Sequence, residues 1–242
     1  LCRASGEVLY NSAARELDRR DYGEAIELFN EVERQHPYSE WARRSTLMSA
    51  FAAYQSRQYD DAINTAQRYI SLNPGSEHAA YAYHLVAASY FEQITDVGRD
   101  QRTTELARAS LDEIIRRFPA SEYARDAELK MDMVNDQLAG KEMTIGRWYL
   151  RRDEHLPAIN RFRTVVTEFD TTTHTPEALY RLVESYLSVG LKGEALAAAA
   201  VLGYNHPDSR WYADAYRLME RRGLDPEAVS DEKRRGFLSR LF

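Results

Sequence analysis

Pro37-Tyr38-Ser39-Glu40-Trp41-Ala42 is the stretch that decides the fold, because versions of it return along the chain. Each version starts twelve residues after an alanine, and the alanine–proline pairs are Ala25/Pro37, Ala62/Pro74, Ala107/Pro119 and Ala195/Pro207. Proline cannot continue a helix, whereas a following serine can cap the next helix and a glutamate in its first turn suits the helix dipole. The pattern therefore predicts helical hairpins with a buried alanine where the two helices of each hairpin cross.

The predicted caps are Ser39, Ser76, Ser121 and Ser209. The unit anchored by Ala158 departs from the pattern, since Asp170 stands where proline is expected. There, Thr175-Pro176-Glu177 is predicted to begin the next helix, with proline at the first helical position.

A second helix precedes each anchored helix. Gly146-x2-Tyr149, just upstream of Ala158, fits part of the tetratricopeptide (TPR) consensus. In the third unit Tyr90 lies seventeen residues before Ala107, which indicates an insertion of eight residues. We predict an all-α, right-handed superhelical array of five TPR-like helical hairpins with a capping helix.

The predicted hairpins cover residues 7–36, 40–73, 77–118, 141–169 and 176–206, and residues 209–222 form the capping helix. Residues 121–138 are extra helix and can form one long rod with 141–152 through Gly140. The predicted organisation is an anchor or linker (1–6), an amino-terminal half (7–138), a carboxy-terminal half (139–222) and a flexible basic tail (223–242).

The composition and the catalytic motifs that the sequence lacks limit the classes of function that we expect. A formal net charge of −6 is unfavourable for general nucleic-acid binding, and the single cysteine cannot form an internal disulfide. The sequence contains no His-Glu-x2-His, Gly-x-Ser-x-Gly or Gly-rich phosphate loop. The run Asp153-Glu154-His155 is interpreted as a solvated turn rather than a metal cluster. We therefore expect a protein that binds other proteins, with no catalytic, metal or cofactor site.

Four segments resemble the BamD family, the TPR lipoproteins of the bacterial outer-membrane β-barrel assembly machinery. They are His36–Ser39, Tyr90–Gln101, His174–Leu179 and Ala199–Asn205. The similarity runs in order from about Tyr10 to about Arg222, and the insertion in the third unit is its most specific part.

The resemblance implies a non-enzymatic scaffold at the periplasmic face of the outer membrane, held there by a lipid anchor. The implied partners are the periplasmic domains of the barrel-forming subunit, other accessory lipoproteins and unfolded outer-membrane protein clients. Leu1 departs from the small residue that the family places before its lipidated cysteine. Either Cys2 is the anchor, or the anchored terminus lies outside this sequence. The alternative function is another TPR adaptor of the envelope or cytoplasm, which does not predict the stretch from Glu92 to Gln101.

A peptide groove is predicted along the first helices of units one to three, since solenoids bind partners on concave surfaces. The predicted lining is Tyr10, Ala14 and Leu17, then Leu47, Phe51, Tyr54 and Gln55, then His84, Ala88, Phe91 and Glu92. The alternative is that these side chains only pack hairpin on hairpin. The insertion Thr95–Thr104 is either a docking loop or a local network of ion pairs.

Tyr180, Glu184 and Leu187 share one helix face, and we expect them, with Trp211, to dock the barrel-forming subunit. The competing interpretation is that this face contacts the capping helix at Trp211 and Tyr212.

The tail places apolar residues at helical spacing among basic ones, and its expected contact residues are Arg234, Arg235, Phe237, Leu238 and Leu241. Its predicted partner is a groove on another subunit or an anionic membrane surface, and the alternative is an end without function.

Overall fold

The computed structural model describes residues 5–95 and 101–224. These residues form helices and turns, without a strand. The helices of the described part are α1 Gly6–Asp18, α2 Tyr22–Gln35, α3 Glu40–Gln55, α4 Tyr59–Leu72, α5 Ala79–Glu92, α6 Arg102–Arg117, α7 Glu122–Leu150, α8 His155–Glu168, α9 Thr175–Ser188, α10 Lys192–Asn205 and α11 Arg210–Arg221. The predicted all-α array of helical hairpins is confirmed, and the predicted rod through Gly140 is α7.

The chain divides into two compact units, 1–134 and 135–242. The boundary lies inside α7, between Val134 and Asn135, a few residues before the predicted division after residue 138. In the first unit α1 to α6 form three hairpins in sequence. In the second unit the end of α7 contacts α8 through Glu142 with Arg161 and Gly146 with Phe162, α9 pairs with α10, and α11 packs on α9. No helix within the described ranges is both long and apolar enough to cross a bilayer.

The anchor alanines are buried as predicted. All five, Ala25, Ala62, Ala107, Ala158 and Ala195, have no exposed surface. A methyl side chain lets two helix backbones approach closely, and a larger side chain at such a site would force the helices apart.

One turn geometry ends the second helix of every hairpin. The helix C-caps His36, Asn73, Phe118, Phe169 and His206 have φ between −129° and −138°. In each turn the backbone N–H three residues later donates to the C-cap carbonyl at 2.9–3.1 Å. The hydroxyls of Ser39, Ser121 and Thr172 donate to the same carbonyls at 2.7–2.8 Å. Thr172 therefore keeps the turn where Asp170 replaces proline.

Three of the predicted serine caps are confirmed. Ser39 and Ser121 accept hydrogen bonds from N–H groups three residues on, and Ser209 accepts one from Trp211, each at 3.1 Å. The prediction for Ser76 is wrong, because α5 begins later, at Ala79, with His78 as its cap. The Ser76 hydroxyl instead pairs with the Tyr69 hydroxyl at 2.8 Å.

The start of α9 also differs from the prediction. Thr175 is the first helical residue, so Pro176 takes the second position rather than the first. The Thr175 side chain is buried and its hydroxyl donates to the Phe169 carbonyl at 3.1 Å. Thr175 thus ties α9 to the preceding turn.

Candidate protein-binding surfaces

Six half-buried rings of the first unit form one patch, the aromatic surface. They are Phe51 and Tyr54 on α3, Tyr81, His84 and Phe91 on α5, and Tyr123 on α7. Ring centroids lie 6.5 Å apart for Phe51 and Tyr81, 5.7 Å for Tyr81 and Tyr123, and 5.1 Å for His84 and Tyr123.

Helical spacing places the rings of α3 on one face of that helix, and two rings of α5 on one face of theirs. Phe51 and Tyr54 are three residues apart, and His84 precedes Phe91 by seven, so each pair shares a helix face. Phe51, Tyr54 and Tyr81 pack against a core cluster that includes Leu47, Ile63 and Leu85. The core cluster therefore contacts one side of Phe51, Tyr54 and Tyr81, and the exposed parts of these three rings can contact a partner.

The charged groups of the aromatic surface converge on Asp126. The Lys130 ammonium donates to both Asp126 oxygens at 2.5 and 2.6 Å and lies 5.7 Å from the Phe91 ring centre. His84 Nδ1 is 3.6 Å from the same carboxylate. Burial lowers the pKa of His84 despite the nearby Asp126, and burial raises the pKa of Tyr81 to about 12. His84 and Tyr81 are therefore neutral near pH 7.

Several other residues of the predicted groove, unlike Gln55 and Glu92, belong to the packing between helices. Leu47 is only 6% exposed, and Ala88 is also buried. Tyr10 and Leu17 pack against the core cluster around Phe29. Ala14 is half-buried, whereas Gln55 and Glu92 are exposed. We therefore leave Leu47 out of the binding surface, because its side chain is covered by neighbouring helices.

The second unit contains a ring pair that joins α9 to α11, the Tyr180–Trp211 surface. The two ring centroids are 5.4 Å apart, and the Arg181 guanidinium lies 5.3 Å from one ring and 5.7 Å from the other. The contact with the capping helix, which was the competing interpretation, is therefore present. Both rings remain half-exposed, whereas Leu187 is 7% exposed and is left out of the surface.

An ion-pair network positions Arg181. Arg181 donates to Glu184 at 2.9 Å and to Glu177 at 3.4 Å, and Arg147 donates to Glu177 at 2.9 and 2.6 Å. Burial disfavours the charged form of Glu177, but the hydrogen bonds and charges of Arg147 and Arg181 outweigh it and lower its pKa. A cleft of about 470 Å³, lined by Arg147, Arg151, Arg181 and Glu184 among others, lies beside this network.

Sequence reasoning overlooked Tyr81 and Tyr123 as members of the aromatic surface. A signal was present for Tyr123 but not for Tyr81, because an aromatic residue stands two positions after each of the cap serines Ser39, Ser121 and Ser209. These residues meet the first helix of the preceding hairpin in the pairs Tyr10–Trp41, Tyr81–Tyr123 and Tyr180–Trp211, at 5.2, 5.7 and 5.4 Å. The same rings therefore hold successive hairpins together and remain partly exposed for a partner.

Several predicted site residues lie outside the described residues. They are Cys2, part of the insertion (residues 96–100) and the tail residues Arg234, Arg235, Phe237, Leu238 and Leu241. Within the described ranges, no group of three or more His, Cys, Asp or Glu side chains is placed to hold a metal ion.

Comparison with known proteins identifies the family. The model of the family described as "YfiO: Outer membrane lipoprotein" matches residues 3–202. The outer membrane protein assembly factor BamD of Caulobacter vibrioides is 56% identical over 238 residues, which cover 98% of this chain and 78% of the relative. BamD of Rickettsia prowazekii is 46% identical over 213 residues, covering 88% and 85% of the two chains. The crystal structure of a thermophilic TPR protein from Thermus thermophilus covers 88% of this chain and 100% of its own, at 19% identity and a TM-score of 0.42. The chain therefore belongs to the YfiO/BamD family of outer membrane protein assembly factors.

Proposed function

We propose that this protein is a non-enzymatic scaffold for the assembly of outer-membrane β-barrels. Its aromatic surface binds segments of unfolded outer-membrane proteins, and its Tyr180–Trp211 surface docks the periplasmic domains of the barrel-forming subunit. The observation that carries the proposal is the continuous patch of half-buried rings across α3, α5 and α7. Family membership and the insertion in the third unit favour this function over that of a generic TPR adaptor.

The aromatic surface suits clients of varied sequence. Aromatic side chains supply large contact areas and lose little conformational entropy on binding. The core cluster already fixes the inner side of three of the rings, so they need no further ordering when a client arrives. An extended client segment can therefore stack its own side chains on them without a defined sequence.

Client binding is tested with the full chain and fluorescent extended peptides from outer-membrane proteins. Replacing Phe51, Tyr54 and Phe91 together with alanine should weaken binding at least tenfold, roughly 1.4 kcal/mol, since a central interface aromatic contributes about 1–2 kcal/mol. The matched control is Tyr38→Ala, because Tyr38 is 96% exposed and lies outside the surface.

Two of the three rings also pack on the core, so helicity must be followed by circular dichroism. The single variant Phe91→Ala separates the effects, because Phe91 is not among the residues packed on that cluster. Loss of helicity without a binding defect in Phe91→Ala would support a packing role instead.

The docking proposal rests on the exposed parts of Tyr180 and Trp211 and on the guanidinium that spans them. Arg181→Ala should weaken capture of the periplasmic domains of the barrel-forming subunit, because it removes the group that orders both rings. The matched control is Arg68→Ala, which breaks an ion pair with Glu33 in the first unit. Equal capture by both variants would contradict this assignment.

The proposal also includes the membrane anchor, further partner proteins and the contacts of the tail. Cys2 is the proposed lipid anchor at the periplasmic face of the outer membrane, and other accessory lipoproteins are further partners. The basic tail contacts another subunit or the anionic membrane surface. Labelling of the protein with a radioactive fatty acid, lost in Cys2→Ser, tests the anchor.

A further inference from the structure

Arg210 carries a positive charge where the repeated motif favours a negative one. It follows the cap serine Ser209 as the first residue of α11, whereas glutamate follows the serine in the three earlier copies, at Glu40, Glu77 and Glu122. The amino-terminal end of a helix is the positive end of its dipole, so an arginine there is less favourable than a glutamate. The local stability of α11 therefore does not account for this arginine.

The Arg210 guanidinium is part of the Tyr180–Trp211 surface. It lies over the Trp211 ring, 4.4 Å from the ring centre, and the Arg181 guanidinium is 5.7 Å from the same centre. The electrons of an aromatic ring attract a guanidinium that lies over it. The N–H donors lie in the guanidinium plane, so they stay available for a carboxylate. The surface therefore presents two cations on its rings.

These two guanidiniums differ in their ion pairs. Arg181 donates to Glu184 at 2.9 Å, so its charge is compensated. Arg210 makes no ion pair with any described residue, and the nearest acids in sequence, Asp208 and Asp214, are not within ion-pair distance of it. The positive charge of Arg210 is therefore available to a partner.

Five other cations that lie over rings each bind a carboxylate at the same time. These pairs are Arg44 with Glu40 at 2.6 Å, Arg117 with Glu113 at 2.9 Å, Lys130 with Asp126 at 2.5 Å, Arg152 with Glu154 at 2.8 Å and Arg181 with Glu184 at 2.9 Å. A cation between a ring and a carboxylate is thus a recurring arrangement in this protein. Arg210 has the ring but lacks a carboxylate in the described part of the chain.

We propose that Arg210 makes the Tyr180–Trp211 surface selective for a partner segment in which aspartate or glutamate stands next to an apolar residue. This specificity rests on the proposed docking of the barrel-forming subunit. The partner carboxylate accepts hydrogen bonds from the Arg210 guanidinium, and its apolar neighbour packs on the exposed parts of Tyr180 and Trp211. The Trp211 ring already orders the guanidinium, so less side-chain freedom is lost when the ion pair forms.

The test measures binding of the purified periplasmic domains of the barrel-forming subunit to the full chain by biolayer interferometry, at low and at physiological salt. Arg210→Gln should weaken binding about three- to tenfold, because a hydrogen-bonded ion pair at a partly exposed site is lost. The loss should be larger at low salt, where the pair is less screened. The matched control is Arg43→Gln on α3, which removes an exposed arginine that also has no ion pair with a described residue and should leave the affinity unchanged.

The variant Arg210→Glu separates binding from stability. It introduces the residue type that the earlier copies have at this position, so a favourable interaction with the helix dipole should offset the lost contact with Trp211. The Tm should stay within about 3 °C of the wild type. The affinity for the partner domains should nevertheless fall about tenfold or more, because two carboxylates would repel each other.

A double-mutant cycle identifies the partner carboxylate. Each exposed aspartate and glutamate of the partner domains is replaced in turn with its amide, and one replacement should weaken binding to the wild type but not to Arg210→Gln. If Arg210→Gln binds as the wild type does, or no acidic residue couples to Arg210, the selectivity is overturned and the proposed docking stands. Normal binding of the domains by Arg210→Gln, with loss of binding to phosphatidylglycerol vesicles, would overturn it in favour of a lipid surface. If the wild type does not bind the domains, both proposals are overturned.

Discussion

Replacing Gly146 with alanine should destabilise the second unit, although alanine is the better helix former. A Cβ at this position would lie 2.5, 2.7 and 3.0 Å from three atoms of the Phe162 ring. Phe162 is fully buried, so its ring cannot swing into solvent. Either the ring or the backbone of α7 must therefore shift.

Two opposing contributions determine how much Gly146→Ala changes the free energy of unfolding. Alanine in place of glycine in a helix interior contributes up to about 1 kcal/mol of stability. Overpacking a close helix contact costs about 1–3 kcal/mol, and contacts as short as 2.5 Å against a buried ring belong at the upper end of that range. The net loss of about 1–2 kcal/mol corresponds to a fall in Tm of roughly 3–8 °C.

Thermal unfolding of the full chain, followed by circular dichroism at the helix band, measures the change. The control is Gly193→Ala in α10, where a Cβ would meet nothing within 4 Å, so its Tm should stay constant or rise. Gly146→Ala should lower the Tm less in a Phe162→Leu background than in the wild type, because the added methyl group and the Phe162 ring would occupy the same space. A Tm for Gly146→Ala at or above that of the wild type would refute the packing of the ring against this part of α7.

The remaining predictions concern packing, pH and the tail. Ala158→Leu should lower stability by about 1–3 kcal/mol, because Ala158 has no exposed surface; an unchanged Tm would contradict the hairpin register. His84 has a lowered pKa in the folded state, so it should decrease stability as pH falls through its unfolded value of about 6.5. Urea unfolding at about pH 5 and pH 7.5 should accordingly show a smaller pH effect in His84→Gln, and an equal effect would exclude this role. Deletion of residues 231–242 should preserve helicity and Tm but weaken retention of the protein in the assembly complex. If binding of the tail is lost at physiological salt, its partner is an anionic lipid surface. An intact complex after the deletion, together with no liposome binding by the full chain, would indicate an end without function.

Some of the candidate surface could be predicted from the sequence, because helical spacing alone places Phe51 with Tyr54 and His84 with Phe91. The exposure of each side chain could not be predicted from the sequence. Leu47 and Phe51 are one helical turn apart on α3, yet Leu47 is buried in the core cluster and Phe51 keeps an exposed part. The difference arises where α4 and α5 pack across α3, which involves residues far along the chain.

The sequence by itself determined the helical hairpins, their order and the buried alanines. These features follow from interactions within a few residues, such as a proline that stops a helix or a serine that caps the next one. Tertiary structure decided the rest. It brought Tyr123 of α7 onto Tyr81 of α5, and it placed the Phe162 ring of α8 against Gly146 of α7. Such contacts join residues that are distant in sequence, so they form only when whole hairpins stack, and no local pattern specifies them.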